Sequence, residues 1–238
     1  MLPTIVLVHG AFAESASWDG VVEPLQARGH HVIAAANPLR GLAADAESVS
    51  DLVRAITGPV VLVAHSYGGA VISNVDADAG EITGLVYVNA FAPDHGESCF
   101  ELAGRFPGSM LGQATLRPVP RRDGTTDLRI TPEVFHDVFC ADVSVSLAAR
   151  MAATQRPATQ EALVEPSGDR PLWRELPSWF LVGERDHVIP PALQHSMAER
   201  AGARGTVQIA GASHAAVVSH PTAVADLIHQ AAQLPAAV

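Results

Sequence analysis

Short apolar runs rich in β-branched residues recur along this chain, each followed by a stretch with helical spacing: Thr4–His9 (TIVLVH), His31–Ala35, Val60–Ala64, Ile82–Asn89 (ITGLVYVN), Ser178–Val182 (SWFLV) and Thr206–Ile209. Runs this short and this continuously apolar read as strands buried on both faces, the pattern of a parallel sheet covered by helices. Helical stretches fall between them. Ser17–Arg28 is closed by Gly29 at a C-cap position. Ala43–Thr57 carries Val49, Leu52, Val53 and Ile56 at three- and four-residue spacing, and Gly58-Pro59 stops it. Tyr67–Ala77, Pro191–Arg200 and Pro221–Gln233 complete the set. Strand alternating with helix in this way specifies an α/β fold, a doubly wound, mostly parallel six-stranded sheet with helices on both faces. The rhythm breaks over 94–174, a segment with several phenylalanines and irregular polar stretches such as RRDGTTD. Thr131-Pro132 there has the form of an N-cap with proline in the first turn, starting a helix through Phe135 and Phe139. The segment reads as a mainly helical cap inserted between 1–93 and 175–238 of a single core, all one structural unit.

Composition narrows the partners. A length of 238 residues suffices for one domain with a sizeable core. The formal charge of −10 leaves no basic cluster stronger than Arg117, Arg121 and Arg122, which argues against nucleic acid and against anionic membrane. No apolar stretch is long enough to span a bilayer, and MLPTIVLVHG lacks the basic region and cleavage site of a signal peptide, so the cytoplasm is the expected compartment. In that compartment Cys99 and Cys140 read as packed thiols, and they fit no metal-ligand spacing. The chain contains no lysine, which excludes Schiff-base chemistry and a Walker-type phosphate loop. No G-x-G-x-x-G follows the first strand, so a dinucleotide site is not expected. Neither a cofactor nor a metal is expected; the oligomeric state is open.

The third apolar run leads into a serine: VVLVAHSYGG, residues 60–69. Ser66 stands where a buried strand turns tightly into a helix, with small residues two before and two after it. A serine hydroxyl is a weak nucleophile, so it needs a base, and the base needs an orienting carboxylate. In a doubly wound sheet such groups collect at the carboxyl ends of strands. Two later strand ends supply them: GERDHVIPP places Asp186 in a loop, and GASHAAVVSHP places His214 in the last strand-to-helix connection. His220 and His187 are the competing histidines; Asp94 and Glu184 are the competing carboxylates.

The segment around Ser66 resembles the nucleophile elbow G-x-S-x-G of the α/β-hydrolase family, with Ala64 in place of the first glycine. The order Ser, Asp, His is also the family's. VLVHGAFAESASW and NAFAPD are similar to the corresponding segments of plant methyl esterases and hydroxynitrile lyases, a small cap-bearing branch. The resemblance implies Ser66 as nucleophile, His214 as general base and later acid, and Asp186 as the carboxylate that fixes the imidazole. It implies an oxyanion hole from the N–H groups of Ala11, with Phe12 as neighbour, and of Tyr67. Hydroxynitrile lyases carry threonine where this chain has Gly10 and lysine where it has Ala215, so the esterase is favoured over the lyase. The implied reaction is hydrolysis of a small, largely apolar carboxylic ester through an acyl-enzyme on Ser66. Lactonase, thioesterase, C–C hydrolase or perhydrolase chemistry on the same residues is the alternative, and a receptor without turnover the more distant one. Phe12 and His65 beside the nucleophile, with Phe100, Phe106, Met110, Phe135, Phe139 and Met151 from the cap, are the expected pocket lining.

Overall fold

The computed structural model describes residues 2–233. In chain order the first half of the core comprises β1 (Thr4–Val8), α1 (Asp19–Ala27), β2 (Val32–Ala35), α2 (Leu42–Arg54), β3 (Pro59–Ser66), α3 (Gly68–Ser73) and β4 (Glu81–Ala90). The inserted segment follows: α4 (Cys99–Ala103), β5 (Leu116–Pro120), β6 (Thr126–Ile130), α5 (Pro132–Phe139), α6 (Val145–Thr154), β7 (Ala158–Thr159) and α7 (Gln160–Val164). The core then resumes with β8 (Ser178–Gly183), α8 (Pro191–Arg200), β9 (Gly205–Ile209), α9 (Ala216–Ser219) and α10 (Pro221–Gln233).

The main sheet has six strands in the order β2-β1-β3-β4-β8-β9. Every pairing in it is parallel. The apolar runs of β1, β3, β4 and β8 are continuous because both faces are covered, whereas the edge strands β2, partly buried, and β9, mostly exposed, depart from the expected burial on both faces. Ile5, Leu7, Val61, Val63, Val86 and Val88 pack on one side with Val21 and Leu25 of α1 and Val224 and Ile228 of α10. Val6, Val8, Leu62, Ala64, Leu85 and Tyr87 point the other way, toward Val49 and Val53 of α2, Val71 of α3 and Leu193 of α8. Alternate residues of one strand therefore serve two cores, as the two-residue period of a strand requires.

The chain leaves β1 for β2 on one side and then crosses to β3 on the other. A crevice opens at such a reversal, outside the carboxyl ends of the two diverging strands. Those ends are Val8 and Ser66. The inserted segment is built from four helices and a three-stranded antiparallel sheet, β5-β6-β7. That sheet is absent from the sequence-based expectation, for reasons taken up in the Discussion. Among the described residues no helix is long and apolar enough to cross a membrane.

Candidate active site

Ser66 ends β3 with a backbone φ of 56°, a left-handed conformation that serine adopts only under constraint. The constraint is packing on both flanks. A Cβ added to Gly68 would lie 2.6 Å from the carbonyl oxygen of Val8, so only glycine allows α3 to begin this close to β1. Ala64, on the other flank, is fully buried and accommodated by the core. Across the crevice, a Cβ on Gly10 would sit 2.5 Å from Ser66 Cβ and 2.8 Å from the His65 carbonyl oxygen. The loop after β1 therefore touches the elbow itself.

The structure brings Asp186 and His214 together in full burial. His214 Nδ1–H donates to Asp186 Oδ2 at 2.9 Å, which leaves Nε2 as the acceptor; it has no partner among the described residues. Asp186 Oδ2 also accepts from Asn89 Nδ2 (2.9 Å) and Gln194 Nε2 (2.8 Å), and Oδ1 accepts the N–H groups of Val188 (2.8 Å) and Ile189 (2.9 Å). Burial alone would raise the Asp186 pKa; the adjacent His214 and these donors outweigh it and hold the carboxyl below its usual range. The His214 ring lies against His65, centroid to centroid 4.6 Å, and His65 Nε2–H donates to the His214 carbonyl at 2.9 Å. The imidazole is thus held beside the residue that precedes Ser66.

The competing residues are engaged elsewhere. Asp94 is ion-paired with Arg174 at 2.6 Å, Glu184 accepts from the Gly211 N–H at 2.8 Å, His187 bonds the Asp137 carbonyl at 2.9 Å, and His220 Nδ1 meets Ser219 Oγ at 2.9 Å. The three N–H groups around the crevice differ. Phe12 N–H donates to the Arg156 carbonyl at 3.1 Å, whereas those of Ala11 and Tyr67 have no acceptor among the described residues. Two backbone donors are therefore free, one from each side of the crevice.

A model of the alpha/beta hydrolase family matches residues 5–227. The chain is an α/β hydrolase. The hydrolase is 29% identical over 250 residues to a pyrethroid hydrolase of Sphingobium wenxiniae, covering 98% of this chain and 88% of the relative. It is 33% identical over 114 residues to a carbendazim hydrolyzing esterase of Nocardioides, a match that covers 42% of this chain and 47% of the relative. Among solved structures, that of polyneuridine aldehyde esterase superposes with a TM-score of 0.79 at 19% identity, covering 97% of this chain and 99% of the other, a likeness of fold.

Next to His65 and Ala215, the chain neighbours of Ser66 and His214, the hydrolase has a cavity of about 110 Å³, bounded also by Phe12, Phe139, Met151, Glu14, Gln155 and Val217 but not by Ser66 or His214 themselves. The other four residues expected there lie apart from it. Phe100 is 66% exposed on α4 and Met110 is 42% exposed, while Phe135 is buried and stacked on Phe139 at 5.0 Å. Phe106 packs, partly buried, against the core. An aromatic residue in a proline-rich segment carries no signal of which side it faces, and that is why the sequence grouped them. His65 is buried, and burial, then the neighbouring His214, depresses its pKa to about 3, so the ring stays neutral. Asn89 and Gln194 were not singled out from the sequence. Asn89 had one usable sign, a polar residue closing an otherwise apolar strand, and its φ of 45° suits asparagine. Gln194 had none. Among the described residues no group of three or more His, Cys, Asp or Glu side chains is placed to hold a metal ion.

Proposed function

We propose that this hydrolase is a serine carboxylesterase that cleaves a small, largely apolar ester through an acyl-enzyme on Ser66. The observation that carries the reading is a fully buried Asp186–His214 pair packed against His65, the residue that precedes a serine at φ 56°. In this reading Ser66 Oγ attacks the ester carbonyl carbon and its proton passes to His214 Nε2. His214 Nε2 has no partner among the described residues, so the Ser–His hydrogen bond that this transfer needs forms when substrate arrives. Asp186 holds Nδ1–H, which keeps Nε2 free as the acceptor and stabilises the imidazolium that forms. Ala11 and Tyr67 N–H receive the developing oxyanion, each such donor contributing roughly a hundred- to a thousandfold in rate. As the C–O bond breaks, His214 returns the proton to the leaving alkoxide. Water, deprotonated by the same nitrogen, then releases the acid and regenerates Ser66.

The substrate class is supported by the largely apolar wall of the cavity and by relatives named as pyrethroid hydrolase, carbendazim hydrolyzing esterase and polyneuridine aldehyde esterase. Residues 94–174 act as the cap that sets substrate choice, since Phe139, Met151 and Gln155 of that wall come from it. The cytoplasm is supported by two free, buried thiols, Cys99 and Cys140. The test is labelling with a fluorophosphonate probe, followed by peptide mapping. Modification at Ser66 and loss of p-nitrophenyl acetate turnover in Ser66→Ala, with an unchanged circular dichroism spectrum, are the expected results. Labelling at another serine, or turnover retained by Ser66→Ala, overturns the reading.

A further inference from the structure

The loop that carries His214 is gripped from the inserted segment by one carboxylate. Asp142 lies in the turn between α5 and α6, with a side chain only 15% exposed. Its Oδ2 accepts the Ser213 N–H at 3.1 Å, and its Oδ1 accepts the Ser213 hydroxyl at short range. The same hydroxyl oxygen accepts the Ala215 N–H at 3.2 Å. Asp142 thus fixes, directly or through Ser213 Oγ, the backbone on both sides of His214. Three further contacts bear on that residue: its carbonyl accepts from His65, its Nδ1 donates to Asp186, and the Phe139 ring at the end of α5 meets the imidazole edge-on at 4.9 Å. His220 Nδ1 lies 3.6 Å from Asp142 Oδ2, and the Cys140 thiol is also close enough to feel the carboxylate. Burial would raise the Asp142 pKa, but the hydroxyls of Ser213 and Ser219 and the Ser213 N–H outweigh burial and lower it.

We infer that Asp142 is a positioning residue for His214, acting from the cap through Ser213 to aim the imidazole at the nucleophile. The inference rests on the reading of His214 as the general base. Its physical content is that a side chain held at Nδ1 alone can still swing about that bond, whereas pinning residues 213 and 215 fixes the direction of Nε2. A misplacement of about 1 Å costs roughly a hundredfold in rate. Ground-state binding of a small ester does not use Asp142, so the loss belongs in kcat.

The test compares Asp142→Ala, Asp142→Asn and Ser213→Ala in the full-length protein with p-nitrophenyl acetate and a fluorophosphonate. Asp142→Ala is expected to lower kcat and the Ser66 labelling rate together by about 10- to 100-fold, with KM within about twofold. Asparagine can still pair with Ser213, so Asp142→Asn is expected to stay within about threefold of the parent. The low-field proton resonance of the His214–Asp186 hydrogen bond should persist in Asp142→Asn and broaden or vanish in Asp142→Ala. Ser213→Ala removes only the hydroxyl link and is expected to fall between the two variants. If Asp142→Ala does not fold, Ser213→Ala decides: kcat and labelling rate within twofold of the parent overturn the inference. So does an Asp142→Ala that loses melting temperature but no kcat, and so does an Asp142→Asn as impaired as the alanine, which would make the charge and not the geometry the cause. Labelling at a serine other than Ser66 would instead sink the esterase reading.

Discussion

Gly10 has no room for a side chain. Its missing side chain lets the loop after β1 lie against Ser66, and that contact sets where the Ala11 N–H points. Gly10→Ala would force a Cβ within 2.5 Å of Ser66 Cβ, and neither the strained elbow nor the buried strand behind it can retreat. The loop must move instead and carry the Ala11 donor with it. Removing one oxyanion donor costs about a hundred- to a thousandfold in kcat, and a comparable loss is expected here with the acetate ester, at near-parental secondary structure. A Gly10→Ala enzyme with kcat within threefold of the parent would show that the donor lies elsewhere. Asn89 is constrained in a different way. Its left-handed backbone turns the end of β4 so that the amide reaches Asp186, a geometry that few residue types other than glycine and asparagine adopt at small cost.

At the scale of elements, α3 is anchored to α2 by Tyr67, whose hydroxyl donates to Asp45 Oδ2 at 2.8 Å deep in the core. Burial raises the Asp45 pKa against the opposing Arg40 N–H and Tyr67 hydroxyl, so the carboxyl depends on these donors. Tyr67→Phe leaves that acceptor short of one partner, and a loss of about 1–3 kcal/mol is expected from urea unfolding. A loss under 0.5 kcal/mol, on the order of a neutral surface change, would mean that another donor replaces the hydroxyl. The central elements of the core were legible because their burial is two-sided and their ends are punctuated: α2 ends at Arg54, three residues short of the expected Thr57, Gly58-Pro59 marks the passage into β3, and the last helix matches at Pro221–Gln233. The expected helix over Tyr67–Ala77 is cut to Gly68–Ser73, since Asn74 bonds outward to Ser167 of the inserted segment and Asp76 to Ser50 and Arg54 of α2. The β5-β6-β7 sheet was illegible for a physical reason. LRPVP carries two prolines, β7 has two residues, and TDLRI alternates only over Asp127–Ile130, with Leu128 and Ile130 buried, so propensity is weak, the period is too short to read and the pairing is imposed by tertiary contacts. Alanine-rich α6 hid similarly, having no apolar stripe large enough to read. For the proposed site, Ser66, Asp186 and His214 could be singled out because each lies at or after the carboxyl end of a sheet strand. Asn89, Gln194 and Asp142 act through hydrogen bonds across distant segments, which spacing along the chain does not encode.

Across the whole molecule, the root of the inserted segment is tied by charge. Asp94 pairs with Arg174 across its two ends, Glu97 takes Arg105 and Arg200, and Trp173 lies between Arg174 and Arg200, 5.5 and 5.3 Å from its ring centroid. Burial would raise the Glu97 pKa, but Arg200 and the neighbouring donors bring it down to about 2. Linkage fixes the sign: the unfolded chain takes up this proton near pH 4.5 and the folded chain does not, so the stabilisation is complete above that pH and is lost as pH falls toward 2. His65 acts at higher pH. Its folded pKa of about 3 lies below the unfolded value of 6.5, so the unfolded state binds the extra proton and stability declines from pH 6.5 downward. His9 and His30, both lowered by burial, add to that limb. The expected profile of unfolding free energy is therefore a plateau above pH 7, a first decline below 6.5 and a steeper one below 4.5. Urea unfolding between pH 8 and 3 measures it, with Glu97→Gln reducing the slope only below about pH 4.5 and His65→Asn reducing it from pH 6.5 down to about 3. A parent profile level from pH 7 to 5 would mean that His65 takes up its proton without unfolding. That outcome would place a cation against His214 and contradict the neutral packing of the two rings at the site.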